Sequence, residues 1–271
     1  MPWTSEHIQW LIDTGERLTT ADGKTVEVWE FCHKEDEEVL SAWAKHFRNH
    51  YCLDAEIDFY RRGYKYSRSE YLNNIKFPDS SIGWGPRIRA GDFGEILVSD
   101  YLQYVLGYWV PRTRYGDKTV RNESTKGCDV IGFKLIGEED SPEDTLAIFE
   151  SKTQFSGTQP QPKLQDAIDG STKDQVRKAE SLNAIKQRLF DKGFHDEAIR
   201  VERFQNPNDR PHQEVSGAVA LFETKIFNGN QISQTTTDGH PNSDNLVLLV
   251  IHGNELMDLV HELYRRAADE A

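Results

Sequence analysis

The sequence predicts an α/β fold: a mixed central sheet flanked by helices, preceded by a smaller α+β region. Three observations carry this. Two apolar runs of strand length, LVLLVIH (Leu246 to His252) and the LAIF of TLAIFESK (Thr145 to Lys152), show no polar alternation. Such runs fit strands covered on both faces. TVEVWEF (Thr25 to Phe31) alternates instead, as a strand with one buried face does. Segments with apolar residues at helical spacing lie between these strands.

In chain order, TVEVWEF is followed by a predicted helix over Asp36 to Phe47, with Val39, Leu40, Trp43 and Phe47 on one side. Tyr51 to Tyr71 is rich in Tyr and Arg and has no clear period. FPDSSIGWGPRIR (Phe77 to Arg89) carries Pro, Gly and Ser and reads as a loop. A boundary there divides an N-terminal region, 1–85, from a larger domain, 86–271, and gives the first a possible role in partner docking. Gly91 to Gly107 reads as a helix closed by glycine. Strand-like VIGFKLI (Val130 to Ile136), the acidic turn GEEDSPED (Gly137 to Asp144) and TLAIFESK make a hairpin. Thr172 to Lys192 reads as an amphipathic helix, with Val176, Ala179, Leu182, Ile185 and Leu189 as its apolar stripe. A further strand over Ser216 to Phe227, a polar loop, the run Leu246 to His252 and a helix over Glu255 to Ala267 complete the chain.

The 271 residues are 37% hydrophobic and 28% charged, ordinary for a chain with its own core. No run is long enough for a membrane-spanning helix, and MPWTSEHIQW is not a secretory signal. Cys32, Cys52 and Cys128 are far apart with no CxxC, which excludes a zinc ribbon or a disulfide framework. A cytoplasmic protein with reduced thiols is the expectation. The net charge of −13 has the wrong sign for a free-standing DNA-binding protein. A local basic surface or a partner would have to bring nucleic acid to it.

Candidate chemistry gathers at the hairpin. Glu150 and Lys152 alternate with Ser151 at the end of a buried strand, so the acid and the base point the same way. A symmetric loop pairs Asp129 with Lys152 and Ile131 with Glu150, placing Asp129, Glu150 and Lys152 on one face about 5 Å apart. On the preceding helix, Glu95 falls between Leu102 and Leu106 at about 100° per residue, at the edge of the apolar stripe and turned toward the sheet. Oxygen ligands of this kind suit Mg2+, with Mn2+ as a substitute. Asp129, Glu150, the Ser151 carbonyl and Glu95 are the candidate ligands, and Lys152 the group that steadies charge on a phosphate. Any one of these residues alone reads as a surface carboxylate, a strand cap or a cross-strand ion pair; the case is their convergence.

Asp129 followed by Glu150-Ser151-Lys152 resembles the D…ExK pattern of the PD-(D/E)xK, restriction-endonuclease-like nucleases. Glu95 matches that superfamily's helical acid, and Cys128 stands where its proline often does. More narrowly, GDFGE…KGCDVIGFK…FESK resembles the HamA-type nuclease subunit of Hachiman anti-phage defence systems. This resemblance implies a magnesium-dependent deoxyribonuclease acting with a helicase subunit. Two alternatives stay open: a non-catalytic regulatory or DNA-sensing subunit, and an RNA or tRNA nuclease on the same fold.

Phosphate contacts are expected from two basic stretches: Arg112, Arg114, Lys118, Arg121 and Lys126, and then Lys173, Arg177 and Lys178 on the long helix. His46 and His50 stand four apart on a predicted helix, but the sequence offers them no third ligand, so they read as a packed pair. Gly83-Trp84-Gly85 is not a phosphate loop, since no lysine and helix start follow it.

Overall fold

In the computed structural model, which describes residues 4–271, one six-stranded mixed sheet runs through the molecule. Its strands are β1 (Leu11–Thr19), β2 (Thr25–Phe31), β3 (Val130–Lys134), β4 (Thr145–Gln154), β5 (Gln213–Glu223) and β6 (Leu246–Gly253), in the order β1-β2-β6-β5-β4-β3. The four inner strands β2, β6, β5 and β4 are parallel, and β1 and β3 close the edges antiparallel. Among the described residues the helices are α1 (Glu37–Tyr51), α2 (Ile57–Arg61), α3 (Arg68–Tyr71), α4 (Gly85–Asp100), α5 (Lys163–Asp191), α6 (His195–Glu202), α7 (Gly229–Ile232) and α8 (Leu256–Asp269).

The layers follow from alternation along the inner strands. Val219, Leu221, Leu249 and Ile251 face a core shared with Trp43 and Phe47 of α1, Phe93 and Leu97 of α4, and Leu263 and Tyr264 of α8. Ala218, Ala220, Phe222, Leu248 and Val250 face the other way, onto Leu164, Ala167 and Ile168 of α5. Near the β3 edge, Ile131, Phe133 and Ile148 meet Leu182 and Leu189 of α5 and Val201 of α6. Where both faces are covered, as along β6 and the start of β4, the strands need apolar residues at successive positions, which is why those sequences do not alternate. A fully buried side chain the size of Phe149 contributes on the order of 2–3 kcal/mol.

Strand β2, in the region 1–85, lies in the same sheet as the strands of 86–271 and pairs with β6 from Val26↔Leu248 to Phe31↔Gly253. Several sequence expectations need correction. The predicted loop 77–89 ends early: helix α4 already begins at Gly85, with Pro86 in its first turn, where a missing N–H is harmless. That helix gives way to a π-helical turn over Tyr101–Val105. On α5 the apolar stripe holds only for Leu182, Ile185 and Leu189; Val176 is 84% exposed and Ala179 is exposed too. The three cysteines are free thiols. No described helix is long and apolar enough to cross a membrane.

Candidate active site

The hairpin register differs from the symmetric one by two residues. Val130 pairs with Phe149 and Ile131 with Ile148, which carries Asp129 opposite Glu150 rather than Lys152. A shift of two leaves every side chain on its face. Asp129 Oδ2 accepts the Ser151 backbone N–H at 3.2 Å and lies 3.9 Å from Lys152 Nζ. Lys152 Nζ in turn donates to Glu150 Oε1.

Glu95 reaches the same place from α4. Two glycines let the helices approach β4 closely enough. A Cβ on Gly94 would come within 2.5 Å of Thr153 Cγ2, and one on Gly170 of α5 within 2.5 Å of Glu150 Oε1. The ExK strand is therefore held between two helices at the point where each lacks a side chain.

Arg114 joins the two halves. Its Nε lies 2.7 Å from Glu95 Oε2 and its Nη2 2.9 Å from Asp129 Oδ1. The outcome is a chain of alternating charge, Glu95–Arg114–Asp129–Lys152–Glu150. Tyr115 Oη donates to Glu95 Oε2 at 2.5 Å. A cavity of about 240 Å³ opens beside Glu95, Asp129, Ser151 and Lys152.

The acids outnumber the bases in a desolvated place, and their proton affinities reflect it. Burial, with Asp129 nearby, pushes Glu150 up to about 8 against the pull of Lys152. Burial also raises Glu95, again to about 8, despite Arg114. Burial works against charge on Lys152, but Asp129 and Glu150 outweigh it and hold the ammonium above the usual lysine value.

Asp174 was hidden in the sequence because it lies between Lys173 and Arg177, in a stretch read as basic. It is buried on α5, and neither carboxylate oxygen has a hydrogen-bond partner among the described residues. Burial and the neighbouring Asp129 raise it to about 6. Glu150 Oε2 is likewise buried without a partner. Unpartnered buried carboxylate oxygens carry a large desolvation cost. Carboxylate oxygens are hard donors of the kind that could hold a divalent ion.

The two basic stretches divide. Arg112 is an internal counter-ion, 2.8 Å from the buried Asp100. Arg114 belongs to the site itself. Lys118 pairs with buried Asp92 at 2.7 Å. Arg121 ties down the carbonyls of Asn73 and Phe77 and the Asp79 carboxylate. Buried or half-buried acids and carbonyls take these four donors inward. Lys178 pairs with Glu214 at 2.5 Å, whereas Lys126, Lys173 and Arg177 are exposed.

His46 and His50 do have a third group nearby. Asp100, from the end of α4, lies 3.1 Å from His46 Nε2, which is 3.3 Å from His50 Nε2, and all three are buried. The ligand atoms lie within 4.8 Å of one another, a spacing that could hold a metal ion. Asp100 Oδ1 also receives Arg112, and Oδ2 receives His7 Nε2 at 2.9 Å. The carboxylate is thereby neutralised and hydrogen-bonded without an ion.

Comparison with curated proteins gives no match. A family model described as HamA matches residues 6–267, nearly the whole chain. The chain belongs to the HamA family, that of the HamA-type subunit of Hachiman systems, and this membership supports a role in anti-phage defence.

Proposed function

We propose that this protein is a metal-dependent nuclease that hydrolyses DNA phosphodiester bonds, using Mg2+ or, in its place, Mn2+, and acting with a helicase partner. One observation carries the reading: three acids and Lys152, from α4, the residue before β3, and β4, meet in a single charge chain beside an open cavity. The HamA match and the D…ExK spacing support it independently.

Asp129, Glu150 and the Ser151 carbonyl would hold the ion, with Glu95 and Asp174 as further oxygen donors. Bound there, the ion supplies an acidified water and a polarised phosphoryl oxygen. Lys152 bonds the scissile phosphate and offsets the charge that grows on it. Its partners Asp129 and Glu150 keep it protonated and aimed. Tyr115 and Arg114 fix the Glu95 carboxyl. Arg114 also occupies the space between Glu95 and Asp129, so it must release one carboxylate for both to act as ligands. The excess of acid over base around the site, in a chain of net charge −13, supports a partner that delivers the DNA.

The test is plasmid cleavage by the purified chain with Mg2+ or Mn2+, with and without the co-encoded helicase, beside Glu150→Ala and Lys152→Ala. Each substitution should lower the rate by about 100-fold or more. Cleavage that survives both changes, or none by the protein in either setting, would overturn the reading. RNA degraded under conditions that leave DNA intact would move the substrate.

A further inference from the structure

The loop before α4 presents two large apolar side chains to solvent. Ile82 is 70% exposed and Trp84 67%. Neither sits there for want of order. Asp79 Oδ1 accepts the backbone N–H groups of Ser81 at 2.9 Å and Ile82 at 2.8 Å, and Arg121 clamps Asp79 Oδ2 at 3.0 Å. Gly83 takes φ of +59°, and a Cβ on Gly85 would meet the Asp79 carbonyl at 2.3 Å. The loop is thus built to hold an indole outward.

Trp84 borders a groove of about 620 Å³ that runs into the acidic cavity; the two share Arg87, Thr153 and Lys163. In a chain with 45 acidic residues, no Asp or Glu among the described residues lines that groove. Its cations are Arg87, whose guanidinium lies 5.5 Å from the centre of the Trp84 ring, and Lys163. Lys163 is shared with Asp166 at 3.0 Å, while Arg87 has no carboxylate partner among the described residues. An exposed aromatic face beside unpaired positive charge is how proteins hold an unpaired base and its phosphate. Bases in a duplex are stacked on each other and have no face to offer.

We infer that this groove seats single-stranded DNA, with a base stacked on Trp84 and a backbone phosphate at Arg87, leading the strand toward Lys152. The inference rests on the nuclease reading and names its substrate form. Trp84 and Arg87 act in binding; neither lies among the groups placed around the reacting phosphate.

The probe is a labelled oligo-dT of about 12 nucleotides, followed by fluorescence anisotropy in EDTA with the full chain, beside a duplex of equal length. The wild type should prefer the single strand. Trp84→Ala should weaken that binding by about 5- to 100-fold, with Trp84→Phe retaining most of it. Arg87→Ala should make the salt dependence shallower, its logarithmic slope falling by about 0.7. An unchanged melting temperature shows that the exposed substitutions leave the fold alone. Equal oligo-dT binding by Trp84→Ala and wild type, a preference for duplex, or no oligo-dT binding at all would overturn the groove. Tight, Trp84-dependent binding without any cleavage in metal would sustain the groove and defeat the nuclease reading instead.

Discussion

The Arg114 guanidinium stands 2.9 Å from Asp129, on the opposite oxygen from the one that receives the Ser151 N–H. Through its Nε the same side chain holds Glu95 at 2.7 Å. One cation therefore fastens a helix acid to a hairpin acid, and both are acids that would hold the proposed ion.

Removing it has two opposed effects. Arg114→Ala should destabilise the metal-free protein by about 3 kcal/mol, since it leaves half-buried acids unpaired. Saturating Mn2+ should then raise the melting temperature of the variant more than that of the wild type, because no guanidinium competes for the oxygens. A smaller metal-induced shift in the variant would show that Arg114 and the ion do not contend for one place.

The two contact glycines should respond differently. An alanine methyl at 170 meets the end of a flexible glutamate, whereas one at 94 meets a β-branched threonine fixed in a strand. Gly170→Ala should therefore keep its melting temperature within a few degrees, helped by ~1 kcal/mol of helix propensity, while cleavage falls about 10-fold or more as Glu150 is displaced. Gly94→Ala should unfold at clearly lower temperature. Full cleavage by Gly170→Ala would disprove a demand on the position of Glu150.

Among the described residues neither Asp174 oxygen has a hydrogen-bond partner, and burial outweighs the pull of Arg177 and Lys152 on its charge. Asp174→Asn should stabilise the metal-free protein by roughly 1–3 kcal/mol near pH 7.5. The same change should lower metal-dependent cleavage by about 10-fold or more. A variant that is less stable yet fully active would assign Asp174 to the core.

The raised carboxyls set a pH signature. Glu95 and Glu150 hold protons up to about 8, against an ordinary value of 4.5. Between those limits the unfolded chain has released protons that the folded chain keeps, so stability in EDTA falls as pH rises and levels off above 8. Metal needs the ionised form, so cleavage should climb over the same interval. Melting curves in EDTA from pH 5 to 8.5 provide the measure. An identical slope in the Glu95→Gln, Glu150→Gln double variant would exclude these two groups as its source.

Much of the frame was legible in the sequence because burial on two faces leaves a plain signature. The strands β2 and β6 and the start of β4 lie where the apolar patterns put them. Strand β1 was not visible: along the sheet edge its residues from Ile12 to Arg17 are exposed, and no apolar alternation marks them. The acids and Lys152 were visible as a spacing, and the two-residue register difference left their shared face intact. The roles of Arg112, Lys118 and Arg121 were not, since a cation bound inward to an acid reads the same in sequence as one facing solvent. Asp100 lies 50 residues from His50, and only the closing of α1 against α4 brings them together.

The parallel ladder between β2 and β6 makes the first 85 residues part of the sheet that carries β4. Excising them would strip a six-rung pairing from β6 and leave its backbone donors and acceptors bare, an invitation to self-association. It would also take away α1, and with it Trp43 and Phe47 from the shared core. The segment is thus no detachable adaptor; anything that grips it pulls on the same scaffold that aligns Glu150 and Lys152.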